Sequence, residues 1–331
     1  MVWTTIWSHG QRGIARYASS TSGTIQLTMR QIVPVRKIRF VFANEYGEKI
    51  QHIQNFSFNT KDQTHRFSDF SIQPAEVFKT AATAVDPSAK KWQLSFQADS
   101  CESGFAFNDA DFFPNTQAGD FCSGLAAIEA EIDGKCMIAL GDSLTEGATW
   151  TTPLQRQLRK QSLFLVNQGI NGSCLLHASS DQPASKSADY FYGFDALTRL
   201  RYCLKSHSNV SRVILFFGAN DLVEGQLTLE NFQVKIKELI TVCQDQNIDY
   251  QLCTLTPCLG YPGMDEEKEC LRQKINHWLR NEYTELWDFA AMVEDQGRLK
   301  RVFDSGDHLH FNAAAGLTIA RQISSDFVKG E

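Results

Sequence analysis

The chain has 331 residues, of which 43% are hydrophobic and 21% are charged, and its formal net charge is −6 with a pI near 5.8. A chain of this length usually divides into more than one hydrophobic core, and an acidic chain without a run of about five or more lysines or arginines is not expected to bind nucleic acid. The sequence has no stretch of about 18 apolar residues, and no basic segment followed by an apolar run at its start. It therefore predicts neither a membrane span nor a classical secretory signal.

Nine cysteines are scattered along the chain, and none of them belongs to a Cys-x-x-Cys pair. An odd number without such spacing argues against a disulfide framework or a zinc ribbon. Several cysteines stand in apolar segments, where a free thiol behaves as a small hydrophobic side chain. We therefore expect reduced cysteines and a cytoplasmic location.

Residues 1–134 have the pattern of β-strands. The segments at 24–33, 37–47, 52–60 and 92–99 alternate between apolar and polar residues, are rich in aromatic residues and are separated by Gly, Asn, Asp and Pro. Alternation of this kind is typical of strands with one buried face. The sequence predicts an all-β sandwich domain, jelly-roll-like, over residues 1–134.

Residues 135–331 have a different pattern, in which short apolar strands alternate with amphipathic helices. Strands are predicted at 136–140, 163–167, 212–217, 249–255 and 285–290, and helices at 152–160, 227–246, 266–281 and 312–328. This alternation is typical of a parallel sheet covered by helices on both faces. We expect a second domain of the α/β class over residues 135–331, with a polar loop at 179–195 near the functional site.

Polar residues follow the predicted strands, at the edge of a parallel sheet where ligands bind. They are GDS at 141–143, NQGINGS at 167–173, GAND at 218–221 and, before the last helix, DSGDHLHFN at 304–312. Together these segments supply a serine, glycine amides, a side-chain amide and an acid with a histidine. Those are the parts of an acyl-transfer site.

Each of these residues also has an ordinary structural explanation. Ser143 could cap the helix that follows the first strand, and Asn220 and Asp221 could cap a helix or form a turn. Capping does not explain why all four segments occur together, so we expect Ser143 and Asn220 to be functional and Asp221 to be structural. We expect Gly141 and Gly147 to adopt unusual backbone angles around the serine.

The order and spacing of the four segments resemble the sequence blocks of the SGNH (GDSL) hydrolases, over about three-fifths of the chain. The resemblance implies a flavodoxin-like three-layer α/β/α domain and a serine esterase that needs neither a metal nor a cofactor. It implies Ser143 as the nucleophile, His310 as the general base and Asp307 as the residue that orients His310. The oxyanion hole is then formed by the backbone N–H groups of Ser143 and Gly172 and by the side-chain amide of Asn220.

The N-terminal segments at 27–33 and 37–50, with the closing segment 305–316, resemble a bacterial subgroup of these hydrolases that carries a β-sandwich and includes carbohydrate O-acetyl esterases. Phe311 stands where that subgroup has proline, which leaves the assignments of Asp307 and His310 unchanged. The resemblance favours removal of an acetyl or other short acyl group from a carbohydrate or a small ester. A lipid or aryl esterase with the same machinery and a non-catalytic glycan-binding protein remain alternatives.

The segment at 304–312 contains a second acid and a second histidine. Asp304 and His308 would also make a plausible pair, and the Asp-x-x-His spacing of the resemblance favours Asp307 and His310. Beyond these residues no acid and histidine cluster has metal-ligand spacing, so no metal is expected. The expected partner is a small ester or an acylated carbohydrate, and the sequence leaves a homo-oligomer open.

Several other residues stand close in sequence to the predicted site. Trp150 and the aromatic run at 190–192 could form a platform for a sugar, or they could belong to the core. Cys174 follows the second site segment and is expected to be a bystander. His177 is a candidate for the rim of the pocket.

Overall fold

The structure is a computed structural model that describes residues 1–16, 23–31, 33–60, 63–107, 113, 120–179, 186–284 and 286–329, with side chains described as far as residue 324. These residues form two compact units. The first consists of Met1–Gly134, residues 186–193 and Leu204–Asn209, and the second consists of Lys135–Ser179, Phe194–Cys203 and the residues from 210 onward. Two segments beyond residue 135 thus group with the N-terminal unit, which the sequence did not indicate. Residues 180–185 of the predicted polar loop lie outside the described residues.

The described part of the first unit is built from antiparallel strands. They are β1 (Val2–Ser8), β2 (Arg12–Gly13), β3 (Thr24–Arg30), β4 (Lys37–Ala43), β5 (Gln51–Asn59), β6 (Thr64–Arg66), β7 (Phe70–Ile72), β8 (Val77–Lys79), β9 (Thr83–Ala84), β10 (Lys91–Ala98), β11 (Ser103–Ala106), β12 (Phe121–Ser123) and β13 (Leu125–Ile132). One sheet has the order β1-β13-β4-β8, with β9 also paired to β4. A second has the order β3-β10-β5-β6, with β7 paired to β5, and a smaller sheet has the order β12-β11-β2.

The two larger sheets pack face to face through aromatic side chains. In β10 the residues alternate between exposed and buried, so that Trp92, Leu94 and Phe96 share the inner face. Across the interface, the ring of Phe42 in β4 lies 5.3 Å from that of Phe96 in an edge-to-face arrangement. Such aromatic pairs add to the free energy gained by burying their surface. The predicted all-β sandwich is therefore confirmed.

The second unit contains a parallel sheet of five strands, β14 (Lys135–Gly141), β15 (Leu163–Gly169), β16 (Val210–Phe216), β17 (Asp249–Cys253) and β18 (Leu286–Trp287). Its order is β15-β14-β16-β17-β18, which is the order 2-1-3-4-5 of flavodoxin-like sheets. Each predicted strand of this half overlaps one of these strands. The predicted fold class is confirmed, and the order reverses at β14, where an open sheet leaves a crevice at its carboxyl edge.

Helices and two short extra strands are the other regular elements of the described residues. They are α1 (Ser143–Glu146), α2 (Thr151–Leu158), α3 (Ala196–Ser206), α4 (Ala219–Val223), α5 (Leu229–Asp245), α6 (Glu266–Glu282), α7 (Phe289–Val293), α8 (Ala313–Lys329), single 3-10 turns at Arg159–Gln161 and Ser187–Asp189, and the hairpin strands β19 (Glu294–Asp295) and β20 (Arg298–Leu299). Helix α2 packs on β15 and α8, whereas α5 packs on β17 and α6. Among the residues described, none of the helices is both long and apolar enough to cross a membrane.

The helix boundaries follow from local signals in the sequence. Thr228 accepts a hydrogen bond from the backbone N–H of Asn231 at 3.1 Å, and the Asn231 side chain accepts one from the N–H of Thr228 at 2.8 Å. This reciprocal capping box fixes the start of α5. Helix α5 then buries Phe232, Ile236, Leu239, Ile240 and Cys243, which recur at the spacing of one helix face.

Candidate active site

The predicted nucleophile Ser143 stands at the carboxyl end of β14 and is the first residue of α1. The residue that caps α1 is Asp142, whose Oδ1 accepts a hydrogen bond from the N–H of Leu144 at 2.9 Å. Ser143 does not cap this helix, and its side chain is free for another role. Ser143 is half-buried, whereas Asp142 and Leu144 on either side are buried.

The two glycines that flank this turn do not behave as the sequence led us to expect. Gly147 has an ordinary helical φ of −59°, and φ at Gly141 lies outside the left-handed region. The expectation of unusual backbone angles is therefore wrong. Gly141 is needed for space, because a Cβ atom there would lie 2.2 Å from Oγ1 of Thr145 and 2.8 Å from the carbonyl oxygen of Phe216.

The structure brings Ser143, His310 and Asp307 into one hydrogen-bonded chain. Nε2 of His310 lies 2.8 Å from Oγ of Ser143, and Nδ1 of His310 lies 2.5 Å from Oδ2 of Asp307. The other oxygen of Asp307 accepts hydrogen bonds from the N–H groups of Leu309 at 3.0 Å and of His310 at 2.9 Å. The Asp-x-x-His spacing thus closes the acid and the histidine into one compact turn.

The hydrogen bonds around Asp307 keep its carboxyl group ionised. Partial burial works to raise the pKa of Asp307, but hydrogen bonds from the His310 ring and from the N–H groups of His310 and Leu309 hold the pKa well below its usual range. An ionised carboxylate can only accept hydrogen bonds. The proton between the two residues therefore belongs to Nδ1 of His310, and Nε2 is left with a lone pair directed at Ser143.

The alternative pair, Asp304 and His308, also forms. Nδ1 of His308 lies 2.7 Å from Oδ2 of Asp304, and Oδ1 of Asp304 accepts hydrogen bonds from the N–H groups of Gly306 and His308. The His308 side chain is 53% exposed and φ at this residue is +71°. The hydroxyl of Ser143 is bonded to the ring of His310. The loop therefore holds two similar acid–histidine pairs. The serine is hydrogen-bonded to the histidine of the Asp307–His310 pair.

The start of α8 holds this loop in place. Oδ1 of Asn312 accepts hydrogen bonds from the N–H groups of Ala314 and Ala315, and its Nδ2 donates to the carbonyl oxygens of Val302 and Asp304. Phe311 stands where the bacterial subgroup with a β-sandwich has proline, and it is 5% exposed. The residues on both sides of the loop are thus anchored next to His310.

Two of the predicted oxyanion donors, Gly172 and Asn220, belong to segments that a hydrogen bond joins. Asn220 is in the first turn of α4, and its Nδ2 donates to the carbonyl oxygen of Ser173 at 2.8 Å. A side-chain amide has two protons, and this bond uses one of them. Gly172 precedes Ser173 and has φ of +73°, a left-handed conformation that favours glycine. The Asn220 amide and the Gly172 backbone are therefore neighbours in space as well as candidates by sequence.

Trp150 is not part of an aromatic platform for a sugar, which was one of its two predicted roles. This side chain is fully buried, its Nε1 donates to the carbonyl oxygen of Leu144 at 3.0 Å, and its ring packs edge-to-face on Phe289 at 5.3 Å. Trp150 therefore belongs to the core that supports α1. Phe191 of the other predicted aromatic segment packs with Phe121 in the first unit.

Comparison with known proteins identifies the family. The chain matches the GDSL-like lipase/acylhydrolase family over residues 139–315, more than half of its length, and the match includes all five predicted site residues. The chain belongs to this family. It is an ester hydrolase of the GDSL-like acylhydrolase type. No curated protein matches it.

Solved structures that match part of this acylhydrolase share little sequence with it. A carbohydrate acetylesterase family member from Sinorhizobium meliloti is 14% identical, with a TM-score of 0.46 and coverage of 59% of this chain and 98% of that one. A GDSL-like lipase from Bacteroides thetaiotaomicron is 15% identical, with a TM-score of 0.43 and coverage of 60% and 89%. The psychrotrophic esterase EstA from Pseudoalteromonas is 19% identical, with a TM-score of 0.43 and coverage of 59% and 97%.

Arg199 is a residue of the acylhydrolase site that the sequence reasoning missed. Its side chain is 4% exposed, and Nη1 donates to the carbonyl oxygen of Gly141 at 2.8 Å and to Oγ of Ser173 at 2.7 Å. Nη2 donates to the carbonyl oxygen of Gln168. Arg199 therefore ties the carboxyl end of β14 to that of β15 and to the segment that follows Gly172.

A signal for this arginine was present in the sequence. Oδ1 of Asp195 accepts hydrogen bonds from the N–H groups of Leu197 and Thr198, which is the pattern of a helix N-cap. An aspartate directly before Ala-Leu-Thr-Arg could have predicted α3, a helix that was not among the predicted ones. If α3 had been predicted, the arginine on its buried side would have been a candidate for a residue of the site.

Two buried acids lie close to the site. Burial raises the pKa of Asp142 to about 7, although the N–H of Leu144 and the charges of His310 and Arg199 act in the opposite direction. Oδ2 of Asp142 is buried without a hydrogen-bond partner in the described residues. Burial also raises the pKa of Asp221, whose two oxygens accept hydrogen bonds from the N–H groups that follow Cys174. These bonds are consistent with the structural role expected for Asp221.

Proposed function

We propose that this acylhydrolase is a serine esterase in which Ser143 is the nucleophile, His310 is the general base and Asp307 orients His310. The observation that carries the proposal is the position of the His310 ring between the other two residues. Nε2 lies 2.8 Å from the serine hydroxyl and Nδ1 lies 2.5 Å from the carboxylate. A nucleophile within hydrogen-bond reach of a base that is itself oriented by an acid is the arrangement of hydrolytic triads.

Acylation begins when Oγ of Ser143 attacks the carbonyl carbon of the ester and its proton passes to Nε2 of His310. The ester carbonyl becomes an oxyanion, and the imidazolium is stabilised by the ionised Asp307 at Nδ1. When the tetrahedral intermediate collapses, the bond to the alcohol oxygen breaks and Nε2 returns the proton to that oxygen. The alcohol leaves, and the acyl group remains on Ser143.

Deacylation repeats these steps with water as the nucleophile. His310 takes a proton from the water, the resulting hydroxide attacks the acyl carbon, and Oγ of Ser143 leaves with the proton that His310 returns. The products are a carboxylic acid and the regenerated serine. In both steps every atom, proton and charge comes from the ester, from water or from the chain's own residues.

We assign the oxyanion hole to the N–H groups of Ser143 and Gly172 and to the side-chain amide of Asn220. The bond from Asn220 to the carbonyl oxygen of Ser173 supports this assignment, because it holds the amide next to the segment that carries Gly172. Donors fixed before the reaction stabilise charge without having to reorganise, and each one contributes about 10²–10³ in rate.

For the substrate we propose a short-chain ester, with an acetyl group on a carbohydrate as the first choice. The support is the β-sandwich in the N-terminal unit together with the sequence resemblance to carbohydrate O-acetyl esterases. A cytoplasmic location and the absence of nucleic-acid binding remain predictions from the sequence, which leaves a homo-oligomeric state open. Size-exclusion chromatography with light scattering tests the last of these.

The test of the mechanism is labelling with a serine-reactive fluorophosphonate, followed by the mass of the intact protein. Wild type and His308→Ala should each gain one adduct, whereas Ser143→Ala should gain none and His310→Ala should react far more slowly. His308→Ala is the matched control, because His308 also pairs with an acid on the same loop. A labelled Ser143→Ala, or loss of labelling in His308→Ala but not in His310→Ala, would contradict the assignment.

The substrate is tested separately, by release of carboxylic acid from acetylated sugars and from p-nitrophenyl esters of increasing chain length. Release that is fastest with acetate and requires Ser143 supports the proposed specificity. A preference for long acyl chains indicates a lipid esterase with the same triad. Binding of glycans by folded protein that hydrolyses none of these esters would indicate the non-catalytic alternative.

A further inference from the structure

A cluster of metal-ligating side chains lies next to the proposed oxyanion donors. Cys174 and His177 belong to the segment that follows Gly172, and Asp221 lies in α4. The potential ligand atoms of Cys174, His177 and Asp221 all lie within 4.8 Å of one another. Glu224, the residue that caps the end of α4, lies next to Cys174 and His177 and offers a fourth ligand.

The distances between these atoms fit a zinc ion after a small contraction. Nε2 of His177 lies 3.4 Å from Oε2 of Glu224, and Sγ of Cys174 lies 4.0 Å from the same oxygen, whereas one ligand atom from each of Cys174, His177 and Asp221 lies within 4.8 Å of the other two. Bonds of about 2.0–2.3 Å in a tetrahedral zinc site place neighbouring ligand atoms about 3.3–3.8 Å apart. The exposed side chains of His177 and Glu224 can supply the remaining adjustment, at 42% and 44% exposure.

The charges at the cluster favour a cation. Two carboxylates, those of Asp221 and Glu224, lie beside the thiol of Cys174. A divalent cation would offset the two carboxylates and stabilise the thiolate. A set that contains a cysteine and a histidine suits zinc, whereas calcium and magnesium prefer oxygen ligands alone.

One ligand is already oriented from outside the cluster. Oδ2 of Asp221 accepts a hydrogen bond from the N–H of Leu175 at 2.8 Å, and Oδ1 accepts one from the N–H of Leu176 at 2.9 Å. Such outer contacts fix the direction of ligands in metal sites and contribute to affinity. The same bonds hold α4 against the segment of Cys174, so the ligands from the two elements stay together without a metal.

We propose that Cys174, His177, Asp221 and Glu224 bind one zinc ion. This site is distinct from Ser143 and His310 and takes no part in the proposed hydrolysis. The sequence spacing gave no reason to expect it, because the ligands come from two segments more than 40 residues apart. Zinc would join the segment after Gly172 to α4, and these two elements carry the oxyanion donors of the proposed function.

The test is direct binding to metal-free, full-length protein. Zinc chloride is titrated by calorimetry, and cobalt chloride is titrated in the absorption spectrometer, where a sulfur-to-cobalt charge-transfer band reports a thiolate ligand. The variants are Cys174→Ser, His177→Ala and Glu224→Ala. The matched control is Cys270→Ser, because Cys270 is an exposed cysteine elsewhere in the chain and could bind zinc without a built site.

We expect wild type and Cys270→Ser to bind one zinc per chain with the same affinity. Each of the three site variants should bind at least about tenfold more weakly, since loss of even an outer contact costs about 10- to 100-fold in metal affinity. The cobalt band should disappear in Cys174→Ser and persist in Cys270→Ser. Unchanged zinc affinity in both Cys174→Ser and His177→Ala would overturn the proposal, as would a band that depends on Cys270.

Two features keep the test decisive. His177 and Glu224 have exposed side chains, so their variants should fold even if Cys174→Ser does not, and circular dichroism of the metal-free proteins checks this. The readouts are binding and absorption rather than turnover. Failure of the zinc site would therefore leave the proposed esterase untouched, and loss of esterase activity would leave the zinc result standing.

Discussion

Replacement of Asp307 by asparagine should abolish most of the turnover while leaving the loop folded. Oδ1 of Asp307 accepts two backbone hydrogen bonds, at 3.0 and 2.9 Å, whereas Oδ2 faces Nδ1 of His310 at 2.5 Å. Asparagine keeps both backbone bonds only if its oxygen takes the Oδ1 position. Its NH₂ group then faces Nδ1 of His310, which must become an acceptor.

The consequence is a histidine in the wrong tautomer. With Nδ1 unprotonated, the proton of the neutral ring moves to Nε2, which can no longer accept the proton of Ser143. The imidazolium also loses its ionised partner. In serine hydrolases this exchange lowers kcat by about 10⁴, which corresponds to about 5 kcal/mol of transition-state stabilisation. Because the backbone bonds persist, the free energy of unfolding should change by less than about 2 kcal/mol.

The assay is steady-state hydrolysis of p-nitrophenyl acetate, with urea unfolding as the measure of stability. Asp304→Asn is the matched control, since Asp304 also accepts two backbone N–H groups and pairs with a histidine on the same loop. Its kcat should stay within a few-fold of wild type. Equal losses in the two variants would indicate a general effect on the loop, and a kcat within about tenfold of wild type in Asp307→Asn would refute the reasoning.

Three further substitutions probe the surroundings of the triad. Asn220→Ala should lower kcat about 10²–10³-fold with little change in KM, because the amide acts on the oxyanion, and steady-state kinetics showing an unchanged kcat would remove Asn220 from the oxyanion hole. Arg199→Lys should lower the free energy of unfolding in urea by at least about 2 kcal/mol, because an ammonium group cannot reproduce the planar fork that reaches three acceptors. Asp142→Asn should flatten the dependence of stability on pH. The folded pKa of about 7 lies above the unfolded value of about 3.9, so the folded state retains a proton that the unfolded state loses, and wild type loses stability between these pH values. In urea unfolding, the free energy of unfolding of Asp142→Asn relative to wild type should increase as the pH rises, by at most about 4 kcal/mol. A difference between the two proteins that stays constant with pH would contradict this reasoning.

The parallel sheet was predictable because its strands are buried on both faces. Continuous apolar runs such as 136–140 and 212–217 stand out from the amphipathic helices around them, and each overlaps a strand of the structure. The long helices were predicted to within a few residues, since caps such as Thr228 and Asp265 mark where they begin. Helix α3 was missed because its buried face includes an arginine, so its apolar pattern is interrupted.

The site segments were predictable because each polar group directly follows a strand or precedes a helix. Ser143 and Asn220 follow two neighbouring strands of the parallel sheet, so the topology carries both to one edge, and the loop before α8 brings His310 to Ser143. Contacts that depend on side-chain direction were not predictable in this way. The cluster proposed to bind zinc and the core position of Trp150 follow from packing in three dimensions, which no spacing along the chain encodes.

The precision of the site follows from how closely the neighbouring strands β14 and β15 bring their loops together. A Cβ atom on Gly169, the last residue of β15, would lie 2.1 Å from the backbone nitrogen of Glu146 in α1. The absence of a side chain at Gly169 therefore sets the distance between the helix that begins at Ser143 and the segment that leads to Gly172. The proposed nucleophile and oxyanion donor are thus placed by contacts between backbones, which shift less than flexible side chains do, and geometry held within about 0.5 Å is what such catalysis requires.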